Sequence, residues 1–161
     1  LFLQAFDYKP KTQELKPFME IEIPATAIPE EHFPPCIKQI SQGMQDGRKR
    51  AVFILINFLR SVGWSYELVE AYVTLWNAKN PEPLRENYVM GQLKYAKANK
   101  PILPPNCDNN AYYLNMGIKC NCKYKNPVQY AKRSVKRAGG TKWTSSTDAP
   151  KHQSVGGIKK A

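Results

Sequence analysis

The chain has 161 residues, a formal net charge of +11, 13 prolines and 42 % hydrophobic residues. That length suits one domain, or one domain with a tail, with a modest core among long loops. No apolar run nears the roughly 18–20 residues of a membrane helix, and no basic start followed by an apolar stretch marks an export leader, so neither a membrane nor a secreted protein is expected.

Residues 1–32 read as an extended arm or linker. Lys9-Pro10, Lys16-Pro17, Ile23-Pro24 and Ile28-Pro29 each disfavour helix at the residue before proline. Met19 to Ile23 alternates apolar and acidic residues like a short strand, or like an arm laid over the domain. The leucine start suggests a fragment or a processed product. A short helix is expected over Ile37 to Met44, opening at Cys36. Arg48 to Val62 is the strongest helix, apolar nearly all round and therefore central to the core. Gly63 is placed to stop it as a left-handed cap. Ser65 caps the next helix, with Glu67 near its positive end, and that helix runs to about Ala78. Trp64 and Trp76 read as core residues.

Pro81 and Pro83 mark a turn before a third helix, about Leu84 to Ala98. Loop follows through Pro101, Pro104 and Pro105, and Asn109 to Leu114 has room for one helical turn. Pro127 suits the first turn of a last helix ending near Arg137, before Gly139-Gly140. Residues 138–161 read as a flexible basic tail. From Lys132 onward eight basic residues accompany one acid, Asp148. So basic an end favours a polyanionic partner through counterion release. The fold expected over 33–137 is therefore mostly α: a small, loop-rich helical domain organised around a four-cysteine metal site.

That site is Cys36, Cys107, Cys120 and Cys122. Three of them stand in proline- or glycine-marked segments: Phe33-Pro34-Pro35-Cys36, Leu103-Pro104-Pro105-Asn106-Cys107 and Gly117-Ile118-Lys119-Cys120. Four thiolates close a tetrahedral zinc site or hold a cubane iron–sulfur cluster. Two disulfides are another option for an even cysteine number, one that a reducing compartment disfavours, and unrelated free thiols are the third. The paired CxxC knuckles of a zinc ribbon are missing, so spacing leaves zinc and iron–sulfur both open. His32 and His152 are weaker ligand candidates; the first reads as a loop residue and the second as a tail residue.

The order of motifs carries a resemblance. Pro34-Pro35-Cys36-Ile37, the basic Arg48-Lys49-Arg50, Phe58-Leu59-Arg60-Ser61-Val62-Gly63 and a helix ending in Trp76-Asn77 resemble the iron–sulfur domain of the archaeal and eukaryotic DNA primase large subunit. The later Pro104-Pro105-Asn106-Cys107-Asp108-Asn109, Tyr112-Tyr113, Gly117-Ile118-Lys119-Cys120 and Lys125-Asn126-Pro127 resemble the cysteine-rich end of archaeal primase-related proteins. The likeness spans about 33–133. It implies one [4Fe-4S] cluster on the four cysteines. It also implies binding of template DNA and of the 5′-triphosphate end of the RNA or DNA primer, with catalysis in a partner primase subunit or domain. A nucleoid (cytoplasmic) or nuclear location goes with that role. Two departures stand out: Cys120 and Cys122 are only one residue apart, and Val52 and Phe53 stand where the family often has His and Arg. Arg48 and Lys49 are the basic positions that carry over.

Apart from any family, Arg48, Lys49 and Arg50 open a helix, whose free amides and positive dipole end suit phosphate. Lys38 is a candidate to join them. Tyr112 and Tyr113, between Cys107 and Cys120, are candidates to stack on an unpaired base. Lys123 and Lys125 are candidates for backbone phosphates. No GK[ST] phosphate loop, GxSxG, HExxH or paired carboxylates for two magnesium ions occur. Polymerisation by this chain alone is not expected.

Overall fold

The structure is a computed structural model that describes residues 21–138. Its helices are α1 (Pro35–Ser41), α2 (Arg48–Ser61), α3 (Tyr66–Lys79), α4 (Glu86–Ala98) and α5 (Pro127–Arg137). Short 3-10 turns at Glu30–His32 and Leu114–Met116 accompany them, and no strand occurs among the described residues. The fold is thus mostly helical and rich in loops, as the sequence implies. His152 and the tail from residue 139 lie outside the described residues, as do Met19 and Glu20 of the suggested strand; Ile21 to Ile23 take no regular structure.

α2 is the axis of the domain. Ala51, Val52, Ile54, Leu55, Ile56, Phe58 and Leu59 are all buried, and α1, α3, α4 and α5 each pack against it. A helix this apolar is stable only when surrounded, because each large aliphatic side chain returned to water would cost about 1.5–3 kcal/mol. Gly63, at φ +89°, turns the chain after α2 as the sequence suggests. A Cβ there would stand 2.8 Å from the Pro24 carbonyl oxygen, so glycine also admits the N-terminal arm.

That arm lies over the domain. The Ile28 amide donates to the Val62 carbonyl at 2.9 Å, and Trp64 Nε1 donates to the Ile28 carbonyl at 2.9 Å. Phe33 meets Phe58 edge to face, ring centres 4.9 Å apart. His32 is held by Ser134 of α5 at 3.0 Å and by Glu31 at 3.2 Å, which ties the arm to the last helix.

Local hydrogen bonds account for the small shifts in helix bounds. α1 opens with Pro35 in its first turn and ends before Gly43, whose φ of +106° leaves helical space. α4 begins at Glu86 rather than near Leu84. The Asn77 side chain explains this: its Oδ1 accepts from the Leu84 amide at 2.8 Å and its Nδ2 donates to the Leu84 carbonyl at 2.9 Å. Leu84 is thereby locked into the α3–α4 turn. Trp76 is buried as expected, and its indole nitrogen donates to the Ile40 carbonyl of α1 at 2.7 Å. The α2 end then directs the chain after α4: Arg60 donates to the Asn99 carbonyl at 2.9 Å and Ser61 to the Ile102 carbonyl at 3.2 Å.

Candidate metal centre and nucleic-acid surface

Two parts of the chain supply the thiols. Cys36 comes from the first turn of α1 and is fully buried. Cys107, Cys120 and Cys122 come from the long segment between α4 and α5 and are half-buried. The segment is folded back on itself by backbone hydrogen bonds: the Cys107 amide donates to the Lys125 carbonyl at 2.8 Å, and the Ile118 amide to the Tyr113 carbonyl at 3.0 Å. Gln39 of α1 donates to the Lys119 carbonyl at 3.1 Å, which docks the segment onto the helix that carries Cys36.

The sulfurs of Cys36, Cys107 and Cys120 all lie within 4.8 Å of one another. Cys122 Sγ stands 2.8 Å from Cys120 Sγ and 3.5 Å from Cys107 Sγ. Residues far apart in sequence thus form a soft donor set able to hold a metal ion. On the core side Tyr113 and Ile118 are buried, while Cys107, Cys120 and Cys122 keep part of their surface exposed.

In the absence of a cation the thiols hold their protons. A hydrogen bond shared with Cys36 raises the Cys107 thiol far above its ordinary value, with burial adding to it. Burial, then a hydrogen bond with Cys122, pushes Cys120 up to about 11. Tyr113 is raised too, by burial first and then by its cysteine neighbours. Crowded thiols resist ionisation because each thiolate repels the next in a poorly solvated space. A bound cation reverses that balance and makes the thiolates the stable form. The donor set therefore fits a thiolate-bound metal or cluster.

Tyr113 needs a correction as a stacking candidate. It is only 1 % exposed, and its hydroxyl donates to the Pro105 carbonyl at 2.9 Å. Its bulk fills the core beneath the thiols, so it offers no free ring face to a base. Tyr112 is half-buried and tilts against Phe53 of α2, ring centres 5.9 Å apart.

The basic candidates do not all converge. Arg48 pairs with Glu82 at 3.1 Å, Lys49 lies over the Tyr88 ring at 5.4 Å, and Arg50 donates to the Ala111 carbonyl. Arg50 therefore ties the start of α2 to the cysteine segment. Lys38 reaches back to the Glu31 carbonyl at 2.8 Å. Gly47 caps α2 without a side-chain hydrogen bond to the first-turn amides. Lys123 and Lys125 are exposed beside the thiols.

Some contributors carried no signal of a role at this site. Asn126 caps α5 through Oδ1, and its Nδ2 donates to the Pro104 carbonyl and to Asn106 Oδ1. An Asn-Pro pair announces a helix start; it does not announce that the spare amide nitrogen will grip a distant loop. Tyr124 and Tyr130 meet edge to face, and Arg133 lies over Tyr124 at 5.5 Å. This places an aromatic and cationic cluster next to Lys123 and Lys125. His32 sits between Ser134 and Glu31 and is not a member of the thiol group.

No family model matches the chain, and no curated protein and no solved structure matches it either.

Proposed function

We propose that the chain is a non-catalytic primase domain. Cys36, Cys107, Cys120 and Cys122 hold a [4Fe-4S] cluster, and the domain engages template DNA and the 5′-triphosphate end of the primer beside a catalytic primase subunit or domain. One observation carries the shared metal centre: the sulfurs of Cys36, Cys107 and Cys120 lie within 4.8 Å of one another although 71 and 13 residues of sequence step separate them, and the resemblance in motif order supplies the type of centre. The same resemblance supplies the priming role. The first turn of α2, whose amides take no side-chain cap, supplies with Arg48 and Lys49 the charge a triphosphate needs. The tyrosine and lysine cluster around residues 123–133 suits a single strand.

Protein purified without oxygen is expected to be brown and to hold about four irons per chain. Replacing Arg48 and Lys49 with Ala is expected to weaken binding to a 5′-triphosphate primer–template more than to a 5′-hydroxyl one. Equal loss on both substrates counts against triphosphate recognition.

A second reading is a zinc-stabilised nucleic-acid-binding module without a priming role. The sulfur group also suits a single ion: a tetrahedral zinc with bonds of about 2.3 Å places its sulfurs about 3.8 Å apart, inside the 4.8 Å within which Cys36, Cys107 and Cys120 converge. It predicts a colourless protein with one zinc per chain and no preference for the triphosphate end.

A further inference from the structure

A cavity of about 290 Å³ lies between α2, α4 and the chain just after α4. Its floor is apolar, formed by Ile56, Ala96 and Ile102. Its rim carries two cations, Arg60 and Lys100, and no acidic residue at all. Among the described residues neither cation has a carboxylate partner. Burial lowers the Arg60 guanidinium from its ordinary value, and its recorded hydrogen bond is the one to the Asn99 carbonyl. A guanidinium has five N–H donors. One that is partly stripped of water and bonded to a neutral carbonyl retains donors for an anion.

Three amides share the cavity wall. Asn57 and Asn99 each commit Nδ2 to a backbone carbonyl, of Phe53 and Tyr95 respectively, both within 2.9 Å. That commitment fixes the flip of each amide and leaves Oδ1 as the atom available to a ligand. Gln92 makes no side-chain hydrogen bond among the described residues and brings both a donor and an acceptor. Tyr95 lines the cavity and is 66 % exposed, and its ring has no aromatic or cationic partner among the described residues.

We propose that this cavity is a nucleotide subsite: Tyr95 stacks on one base, the Asn57, Gln92 and Asn99 amides meet its polar edge, and Arg60 with Lys100 holds the adjoining phosphate. The combination is selective. A phosphate alone has no use for the apolar floor and the ring, and an apolar ligand has no use for two unpaired cations. The volume admits a single base and excludes a duplex. Along α2, Arg60 lies on the order of 15 Å from Arg50, so this site is distinct from the helix start that faces the cysteine segment.

A free nucleotide and one residue of a single strand share this chemistry, and titrations of the full chain separate them. The probes are AMP, ribose 5-phosphate and a short single-stranded oligodeoxyadenylate, followed by amide NMR and calorimetry. The side-chain amide signals of Asn57, Gln92 and Asn99 are expected to shift with AMP or the oligonucleotide and not with ribose 5-phosphate. Shifts with AMP assign a free nucleotide; shifts with the strand alone assign a stacked residue of single-stranded DNA. Tyr95→Ala, at an exposed position that the core does not need, is expected to weaken binding about 5- to 100-fold. Arg60→Ala is expected to do the same, and Gln92→Ala supplies a milder variant should loss of the Asn99 contact unfold α2's end. Unshifted amides with both base-bearing probes, or native affinity in Tyr95→Ala, overturns the proposal. The outcome is independent of the metal and of triphosphate preference: the Arg48 and Lys49 variants test the priming role and leave this cavity intact.

Discussion

Asn126 reaches back 22 residues to Pro104, donating from Nδ2 to the Pro104 carbonyl at 2.9 Å. The same nitrogen donates to Asn106 Oδ1 at 3.1 Å, while Asn126 Oδ1 accepts from the Val128 amide at 3.0 Å. One buried amide thus fixes the start of α5 and the segment that presents Cys107. Asn126→Asp keeps the acceptor that caps the helix and loses both donors. It is expected to lower metal affinity about 10-fold, the low end of the cost of losing outer support at a metal site, because Asn126 holds the loop before Cys107 and not the ligand itself. The buried carbonyl left without a donor is expected to cost about 1–3 kcal/mol in stability. Chelator competition and urea unfolding measure the two effects. Native affinity in this variant would mean that the loop positions Cys107 without Asn126.

Gly47 and Met116 form a second link between α2 and the cysteine segment. A Cβ on Gly47 would stand 2.6 Å from both Cγ and Sδ of Met116, and Gly47 has φ +72°. Gly47→Ala is expected to destabilise by about 1–2 kcal/mol through its left-handed backbone alone, with the Met116 clash added. Pairing it with Met116→Ala removes the clash and leaves the backbone strain. The double variant is therefore expected to be more stable than the sum of the two single changes predicts. Simple additivity in thermal or urea unfolding would show that the two residues do not press on each other.

The metal-free protein is expected to lose stability as pH rises from about 9 to about 11. Cys120 is raised from 9.0 to about 11 by folding, so over that window the unfolded chain gives up a proton that the folded chain retains. The unfolded state then binds fewer protons, and linkage makes stability fall with pH. The loaded protein carries thiolates at neutral pH and is expected to lack this alkaline loss. Loading at pH 7 is also expected to release protons, as an indicator dye in weak buffer would record. A metal-free melting temperature that stays flat from pH 8 to pH 11 would contradict the assignment.

The four thiols are not equivalent. Cys36 is 0 % exposed and is the one ligand candidate from α1, whereas Cys122 lies outside the three sulfurs that are all within 4.8 Å of one another. Cys36→Ala is expected to abolish metal binding and to cost about 1 kcal/mol or more from the cavity it leaves. Cys122→Ala is expected to retain metal at reduced affinity, because the mutually close Cys36, Cys107 and Cys120 remain. Metal content of the two purified variants separates these outcomes. Full native affinity in Cys122→Ala would remove that residue from the ligand set.

Helix positions were legible in the sequence because local chemistry sets them. The all-round apolar run of α2, Gly63 after it, Ser65 capping α3 and Pro127 opening α5 each act within a few residues, and each stands where periodicity and capping place it. The start of α4 was less legible, since it depends on the Asn77 side chain folding onto Leu84 from the preceding helix. The cysteines marked themselves as a set by their residue type and loop settings. Their convergence is a long-range event: it needs the cysteine segment docked on α1 by Gln39 and on α5 by Asn126.

Tertiary structure alone decided which side chains remain available. Tyr112 and Tyr113 are adjacent and chemically alike in sequence, yet packing buries the second and leaves the first half-exposed. Arg48, Lys49 and Arg50 form one cluster on paper, but the helical turn of about 100° per residue sends them to Glu82, Tyr88 and Ala111. Arg60 looked like one more charge at a helix end, and packing of α4 beside α2 leaves it lining a cavity. Composition and periodicity determine what a residue is and which local element it joins. Burial and partnership are properties of surfaces that meet only after the chain has folded.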